Sequence, residues 1–226
     1  MTTTKEAQNQ TQVDEYHVKG GARLGPWSSN IWRHDPRHIG FLAARYKFVA
    51  KMLSGRDRAV EIGCGDGLGI PIVLQEVDFV QGVDLEPIVI TDAQTRFTEE
   101  GITNCDFLVQ DVTMAPIDGT FDGAYSLDVI EHIPLEDEES FLRNICAGLT
   151  QESVLIIGTP NVTAAAYASE LSQLGHINLK TGPELKEAVS RHFHNVFLFS
   201  MNDEVIHTGF SPMAHYLIAM GVGRRE

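Results

Sequence analysis

Three ionisable side chains lie close together in the segment SLDVIEHIP, residues 126–134. Asp128, Glu131 and His132 follow an apolar run and precede a proline. Carboxylates and imidazoles are ligands for Mg²⁺, Mn²⁺ or Zn²⁺, and they are also common acids and bases in enzyme catalysis. If the chain turns helically here, positions i, i+3 and i+4 face the same way, and the three side chains could converge. The segment predicts a metal site, an acid–base site or the solvated end of a strand.

An alternation of apolar strands and helices surrounds this segment and must position it. The predicted strands are 59–63, 79–85, 105–112, 121–128, 153–160, 195–201 and 214–221. The predicted helices are 36–53, 87–101, 137–149 and 183–193. The alternation favours a parallel sheet with helices on both faces, and the last two strands, joined without a helix, favour a terminal antiparallel hairpin. The fold prediction is an α/β protein with a mostly parallel seven-stranded sheet.

The chain divides into three predicted parts. Residues 1–20, rich in Thr, Gln and Asn, are expected to form a mobile N-terminal tail, and residues 21–55 a helical lead-in or cap. Residues 56–226 are expected to form one α/β domain, since a chain of 226 residues is most economically built around one core. Trp27 and Trp32 of the lead-in either pack against this domain or close over a ligand.

The formal net charge of −14 limits the partners of the protein. An acidic surface repels a phosphate backbone, so we expect no nucleic-acid partner and favour a small molecule. Basic residues concentrate in one stretch, residues 32–47, with Arg33, Arg37, Arg45 and Lys47. This stretch is either the solvated face of a helix or a site for an anionic substrate.

Other compositional features indicate a cytoplasmic protein. No apolar run approaches the roughly 18–20 residues of a membrane span, and the first residues lack the apolar core of a signal peptide. Cys64, Cys105 and Cys146 lie far apart without a C-x-x-C pair, which favours reduced structural thiols. Nothing in the sequence indicates the oligomeric state.

A glycine-rich turn follows the first predicted strand. Within VEIGCGDGLG, residues 60–69, the glycines are Gly63, Gly65, Gly67 and Gly69. Glycines between a strand and a helix let the backbone turn sharply and approach a ligand closely. The dinucleotide pattern G-x-G-x-x-G fails, because Leu68 stands where the third glycine belongs.

Acidic residues stand near the carboxyl ends of three strands. Asp84 ends the second strand, Asp111 ends the third, and Glu61 in the first is expected to point at the same edge of the sheet. Open α/β sheets bind ligands at this edge, where an acid after the second strand can accept hydrogen bonds from ribose hydroxyls. Asp111 could accept one from the exocyclic amine of adenine. The acids together predict a nucleoside site.

The motifs VEIGCGDG, GVDLEP, VQDV and FDGAYSLDVIEHI, in this order, resemble those of the class I S-adenosylmethionine-dependent methyltransferases over residues 56–160. The resemblance implies a Rossmann-like fold, S-adenosyl-L-methionine as the cofactor, and methyl transfer to a small molecule. A hydroxyl of a sugar, phenol or natural-product intermediate is the favoured acceptor. The implied cofactor-binding residues are Glu61, Gly63, Cys64, Gly65, Gly67, Asp84, Leu85, Asp111, Val112 and Leu127.

The stretch DVIEH also resembles the acid-x-x-Glu-His metal motif of the ubiquinone-pathway O-methyltransferases and the small-RNA 2′-O-methyltransferases. This resemblance implies a Mg²⁺, Mn²⁺ or Zn²⁺ site formed by Asp128, Glu131, His132 and His176, the last three also acting in catalysis. The chain departs from those families at Asp128, where glutamate is frequent, and the shorter arm could loosen the site. Many metal-independent methyltransferases carry a similar stretch that only shapes the cofactor pocket, so both alternatives stand.

Three other functions remain compatible with the sequence. An NAD-type oxidoreductase fits the glycine loop and Asp84, but Leu68 and Asp111 disagree with it. An RNA 2′-O-methyltransferase-like activity fits the metal motif but not the acidic charge, and a non-catalytic cofactor-binding subunit would carry the same motifs. Methylation of nitrogen or carbon also stays open, because nothing fixes the nucleophile. His207 and His215 are expected to be surface or core residues rather than ligands.

Overall fold

The computed structural model of the protein describes residues 3–226, apart from the side chain of Leu171. The strands are β1 Arg58–Ile62, β2 Phe79–Asp84, β3 Cys105–Val109, β4 Phe121–Leu127, β5 Leu149–Pro160, β6 Phe193–Asn202, β7 Val205–His207 and β8 Tyr216–Arg224. The helices are α1 Gln10–Lys19, α2 Pro26–His34, α3 Arg37–Met52, α4 Ile70–Val73, α5 Pro87–Glu99, α6 Glu138–Ala147, α7 Glu170–Gly175 and α8 Gly182–Ser190. Short 3-10 helices cover Ala7–Asn9, Ile130–His132, Val162–Tyr167 and Ser211–Met213.

One eight-stranded sheet carries the fold, in the order β3-β2-β1-β4-β5-β8-β6-β7. Strands β1 to β5 are parallel, and β8 runs antiparallel between β5 and β6. The predicted Rossmann-like sheet and its terminal antiparallel pair are confirmed. The predicted count of seven strands is one too low, because β7 pairs with the edge of β6. With three residues, β7 is too short to produce a pattern in the sequence.

Hydrophobic packing covers both faces of the sheet. Val60 of β1 packs in one cluster with Phe141 of α6 and Leu185 of α8. The neighbouring Ala59 belongs to a second cluster with Val49 of α3 and Phe97 of α5. Successive residues of a strand face opposite ways, so a central parallel strand needs apolar side chains on both faces. Because β1 to β5 are parallel and packed on both faces, their carboxyl ends lie along one edge of the sheet.

The N-terminal segment is helical, although a tail is expected there. Helix α1 lies within the predicted tail and buries none of its residues, and residues 1 and 2 of that segment lie outside the described part of the chain. Lys19 and Glu15 pair one turn apart along this helix, which supports it locally. The predicted lead-in forms α2 and α3. Within residues 3–226, no helix combines the length and the apolar character that crossing a bilayer requires.

Candidate active site

Two cavities open at the carboxyl ends of the parallel strands and share Asp128 as part of their walls. The first cavity, of about 370 Å³, lies over the ends of β1, β2 and β3 and extends to Trp27 of α2. The second cavity, of about 530 Å³, is bounded by α3, the end of β5, the segment after β5, and the start of β8. The two cavities are therefore neighbours, with Asp128 between them.

Half of the predicted cofactor-binding residues line the first cavity, namely Gly63, Asp84, Leu85, Asp111 and Val112. The carboxylate of Asp84 accepts hydrogen bonds from the backbone N–H of Gly65 at 2.8 Å and of Glu86 at 2.9 Å. These bonds hold both carboxylate oxygens of Asp84 beside the glycine loop. Each carboxylate oxygen has a second lone pair, so Asp84 can still accept from a ligand hydroxyl.

The glycine loop requires glycine at its first position. Gly63 has φ of +75°, and a β-carbon there would overlap the side chain of Val129, the residue after Asp128. A left-handed φ alone costs a residue with a β-carbon about 1–2 kcal/mol. The overlap adds a second cost, because Val129 would have to move. Since Val129 lines the first cavity, that movement would also change the shape of the cavity.

We expect Gly63→Ala to lose more than tenfold in affinity for S-adenosylhomocysteine, the product form of the implied cofactor, and to unfold at a lower temperature. The left-handed φ and the overlap with Val129 together should cost about 2–5 kcal/mol. Gly55→Ala is the matched control, since Gly55 has φ of +80° but open space around it. That control should lose about 1–2 kcal/mol of stability and keep its affinity. Calorimetry measures both quantities, and equal losses in the two variants would contradict the argument.

The other predicted cofactor residues do not line the first cavity, namely Glu61, Cys64, Gly65, Gly67 and Leu127. Glu61 corrects the expectation most clearly, because it is 1% exposed and accepts hydrogen bonds from Tyr46 and Tyr125. It belongs to the face of β1 that packs on α3 rather than to the edge of the sheet. Burial raises the pKa of Glu61 to about 8, although the two tyrosine hydroxyls favour its charged form.

Asp128 does not join a metal-ligand group with its neighbours, which corrects the four-residue prediction. Its backbone takes a left-handed conformation with φ of +58°, so the segment is not helical from Asp128 onward. The side chain instead accepts a hydrogen bond of 2.6 Å from Nη1 of Arg45, which is buried in α3. The guanidinium of Arg45 also stacks on the ring of Tyr216, 3.7 Å from its centroid. Burial raises the pKa of the Tyr216 hydroxyl, as does the charge of Asp128.

The structure does bring Glu131, His132 and His176 together. One ligand atom from each lies within 4.8 Å of the other two. His132 comes from the 3-10 helix after β4, and His176 follows α7, so the imidazole rings approach from two segments with centroids 5.1 Å apart. Nδ1 of His132 lies 2.9 Å from the carbonyl of Gly175. A carbonyl only accepts, so Nδ1 is the nitrogen that donates, and in a neutral imidazole Nε2 then keeps a free lone pair.

The buried carboxylate of Glu131 is only partly satisfied. Its Oε2 accepts a hydrogen bond from the Thr159 hydroxyl at 2.9 Å, whereas Oε1 is buried without a partner in the described part of the chain. Burial, and then the charge of Asp128, raise the pKa of Glu131 to about 8. Burial and the neighbouring His132 lower the pKa of His176. A cation among these three groups would offset the cost of burying the carboxylate.

Hydrogen bonds that the sequence does not predict join helix α2 to the glycine loop. Asp66 accepts hydrogen bonds from the backbone N–H of Ser28 at 2.8 Å and from its hydroxyl at 2.6 Å. Arg96 donates to the carbonyl of Asp66. These hydrogen bonds place Trp27 next to Gly65. A β-carbon on Gly65 would lie 2.8 Å from the indole ring. Trp27 lines the first cavity, whereas Trp32 is exposed and lines neither cavity.

We expect Ser28→Ala to raise the dissociation rate of S-adenosylhomocysteine about 3- to 10-fold, because the variant loses a hydrogen bond to a charged group worth about 1.5–3 kcal/mol. The change should be measured by stopped-flow fluorescence of Trp27 in a Trp32→Phe background. Ser29→Ala is the control, since Ser29 donates only to the carbonyl of Leu24 at 3.2 Å. An unchanged dissociation rate in Ser28→Ala would mean that Trp27 does not retain the ligand.

The remaining predicted residues fall into two groups. Arg33, His34, Arg37 and Lys47 are exposed, as expected for the solvated face of a helix, but Arg45 is buried and lines the second cavity. His207 accepts a backbone hydrogen bond from Gly209 in the hairpin, and His215 lines the second cavity. No local pattern predicts the pairing of Arg45 with Asp128, because 83 residues separate them.

The chain is similar in sequence to known methyltransferases. Residues 59–152 match the family model described as a methyltransferase domain. The ubiquinone biosynthesis O-methyltransferase of Xanthomonas axonopodis pv. citri (strain 306) is 30% identical over 163 residues, which cover 71% of this chain and 65% of that protein. The protein of the same description from Coxiella burnetii (strain Dugway 5J108-111) is 24% identical over 143 residues, covering 62% and 59%. The chain therefore spans less than two thirds of the length of these curated relatives.

Solved structures share the fold. The N-methyltransferase NodS from Bradyrhizobium japonicum WM9, in complex with S-adenosyl-L-homocysteine, has a TM-score of 0.64 at 13% identity, covering 94% of this chain and 97% of that one. A TehB-like SAM-dependent methyltransferase from Corynebacterium glutamicum has a TM-score of 0.59 at 21% identity, covering 86% and 98%. At these identities the likeness establishes the fold alone. Residues 59–152 are therefore a methyltransferase domain, and the chain around them has the fold of the class I S-adenosylmethionine-dependent methyltransferases.

Proposed function

We propose that the protein transfers the methyl group of S-adenosylmethionine to a hydroxyl of a small molecule, assisted by a divalent cation at Glu131, His132 and His176. One observation carries this proposal: two neighbouring cavities share Asp128 as a lining residue, with His132 on the wall of the first and Glu131 and His176 on the wall of the second. The curated relatives, described as ubiquinone biosynthesis O-methyltransferases, support oxygen as the acceptor atom.

The first cavity suits the methyl donor. Its volume of about 370 Å³ lies within the usual range for small-molecule sites, about 300–1,000 Å³. We assign the ribose hydroxyls to Asp84 and the adenine amine to Asp111, with the methionine part along the backbone at Gly63. Trp27 would cover the donor and exclude water from the reacting sulfonium.

The three clustered residues suit a divalent cation. Oε1 of Glu131 is a buried acceptor without a partner in the described chain, and Nε2 of His132 is the nitrogen left free by the Gly175 carbonyl. A histidine ligand whose other ring nitrogen donates to a backbone carbonyl is a common arrangement at metal sites. One carboxylate and two imidazoles suit Mn²⁺ or Zn²⁺ better than Mg²⁺, which prefers oxygen ligands. When bound, such a cation lowers the pKa of a hydroxyl that coordinates it.

The chain's own part in the reaction is alignment. Methyl transfer requires the acceptor oxygen, the methyl carbon and the sulfur in one line, so both ligands must be held rigidly. We assign this task to the wall between the cavities, where Asp128 is held by the Arg45 guanidinium and Arg45 is held in turn by the Tyr216 ring. The acceptor would occupy the second cavity, with its hydroxyl toward Glu131 and His176.

The donor assignment is tested by calorimetry on the full chain. S-adenosylhomocysteine should bind with micromolar affinity, and NAD⁺ should not bind. The reverse preference would support the alternative of an oxidoreductase and overturn the proposal. Binding without turnover of any acceptor would instead favour the non-catalytic cofactor-binding subunit.

The acceptor assignment is tested by transfer of a labelled methyl group from S-adenosylmethionine. We expect label in catechol, whose two adjacent hydroxyls can share a cation, and much less in phenol. EDTA should stop the reaction and Mn²⁺ should restore it. Turnover that is indifferent to EDTA would overturn the role of the cation, and label only in amine acceptors would overturn oxygen. A short RNA with a free 3′ end should stay unlabelled, since the protein carries a net charge of −14.

A further inference from the structure

A buried ion pair lies outside both cavities and has no part in the proposed function so far. Glu138, Asn178 and Lys180 are 4%, 7% and 5% exposed. The ammonium of Lys180 pairs with the carboxylate of Glu138 and donates to Oδ1 of Asn178 at 3.0 Å. The amide of Asn178 donates to Oε2 of Glu138 at 2.9 Å, so the three side chains form a closed network.

This network joins the two segments that carry the clustered ligand atoms. Glu138 begins α6, shortly after His132, whereas Asn178 and Lys180 follow His176. The backbone N–H of Asn178 also donates to the carbonyl of Glu131 at 3.0 Å. On the other side of His176, the Gly175 carbonyl accepts the bond from His132. The residues before and after His176 therefore both contact the segment that carries Glu131 and His132.

Apolar packing does not hold His176 in place. Among the described side chains from 162 to 177, none is buried, and Tyr167, Leu174 and Ile177 are largely exposed. Such a segment has little local stability of its own. Asn178 is the first buried residue after this stretch, two positions beyond His176. Lys180 continues the attachment, since its carbonyl accepts from the backbone N–H of Val162 at 3.0 Å.

The chemistry of the network suits a role in geometry. A buried ion pair gains little net stability over apolar side chains of the same size, because both charges lose their hydration. A closed network of directional bonds does fix one arrangement of its members, provided that each polar group is satisfied. Here each of the three side chains bonds to the other two.

We propose that Glu138, Asn178 and Lys180 are positioning residues that hold His176 at the distance from Glu131 and His132 at which all three bind one cation. This inference rests on the proposed cation site and deepens it. Outer residues that orient metal ligands typically contribute 10- to 100-fold to metal affinity. The network should therefore set the affinity for the cation without affecting the methyl donor in the first cavity.

The test compares two buried asparagines in the full chain. Asn178→Ala should weaken Mn²⁺ binding about 10- to 100-fold by calorimetry and alter the visible spectrum of bound Co²⁺, while affinity for S-adenosylhomocysteine stays within twofold. Asn144→Ala is the matched control, since Asn144 is 8% exposed and its amide donates to the carbonyls of Val112 and Thr113 beside the first cavity. That control should weaken S-adenosylhomocysteine binding and leave Mn²⁺ affinity unchanged.

A second variant keeps the test decisive if Asn178→Ala folds poorly. The double change Glu138→Gln with Lys180→Met removes both charges together and retains the approximate volume, and it should weaken Mn²⁺ binding by a similar factor. Wild-type Mn²⁺ affinity in a folded Asn178→Ala or in the double variant overturns this inference alone. A wild-type chain that binds neither Mn²⁺ nor Co²⁺ overturns the cation site and this inference with it.

Discussion

We expect Asp84→Asn to weaken binding of S-adenosylhomocysteine by about 100-fold or more, which corresponds to about 3 kcal/mol. The carboxylate accepts from two backbone N–H groups at the glycine loop, and its remaining lone pairs face the first cavity. An amide at this position replaces one acceptor oxygen by a donor, which would face another N–H group or a ribose hydroxyl. Hydrogen bonds to a charged group are worth about 1.5–3 kcal/mol each, so losing more than one gives the expected magnitude.

Asp122→Asn is the matched control for this variant. Asp122 also accepts from two backbone N–H groups, those of Asp57 at 3.0 Å and Arg58 at 2.9 Å, but it lies at the amino ends of β4 and β1. Both variants lose similar bonds to the backbone, and each should lose about 1–3 kcal/mol of stability. Only Asp84→Asn should lose the ligand. Calorimetric affinities within threefold of each other in the two variants would contradict the role of Asp84.

The sequence predicts the sheet well, because parallel strands buried on both faces give apolar runs that few other structures require. The apolar run around Ile156 in β5 is an example, because residues 153–159 are all buried in the structure. An acidic residue directly after a parallel strand is equally informative, since the carboxyl ends of all parallel strands lie at the same edge of the sheet. This reasoning predicts Asp84 and Asp111 at the ligand edge, and both line the first cavity.

The direction of a side chain at that edge is harder to predict. Glu61 lies within β1 rather than after it, so the alternation of the strand decides which way it points. It points toward α3, where the hydroxyls of Tyr46 and Tyr125 satisfy it. Tyr46 is distant in sequence from Tyr125, and no local pattern links either of them to Glu61. The sequence therefore predicts neither the direction of the Glu61 side chain nor its partners.

The conformation of Asp128 could not be predicted for a different reason. Residues with a β-carbon rarely adopt a left-handed φ, so a helical turn from Asp128 to His132 was the natural expectation. In the structure the positive φ separates Asp128 from the helical turn that carries Glu131 and His132, and Arg45 supplies a partner from α3. The partner of Asp128 thus comes from the lead-in helix, which no pattern within the local motif indicates.

We expect Glu131→Gln to reduce Mn²⁺ affinity by more than 100-fold and methyl transfer to a catechol acceptor by about 100- to 1000-fold. The substitution retains the volume of the side chain and an oxygen that can accept from Thr159, but removes the negative charge at the buried Oε1. Affinity for S-adenosylhomocysteine should stay within threefold, because Glu131 does not line the first cavity. The melting temperature should change little, since burial already favours the neutral form of Glu131 at neutral pH and a neutral amide of the same volume replaces it.

His176→Ala separates the cation from the other effects of the Glu131 change. This variant removes a ligand without altering the charge of the buried carboxylate, and it should reproduce the loss of Mn²⁺ affinity. The controls are Glu76→Gln and His194→Ala, which change the same residue types outside both cavities. If Glu131→Gln and His176→Ala both lose methyl transfer while Mn²⁺ affinity is unchanged, the two side chains act on the acceptor directly, as in a metal-independent methyltransferase. If both lose Mn²⁺ and methyl transfer together while donor affinity stays, the cation is what connects the second cavity to catalysis.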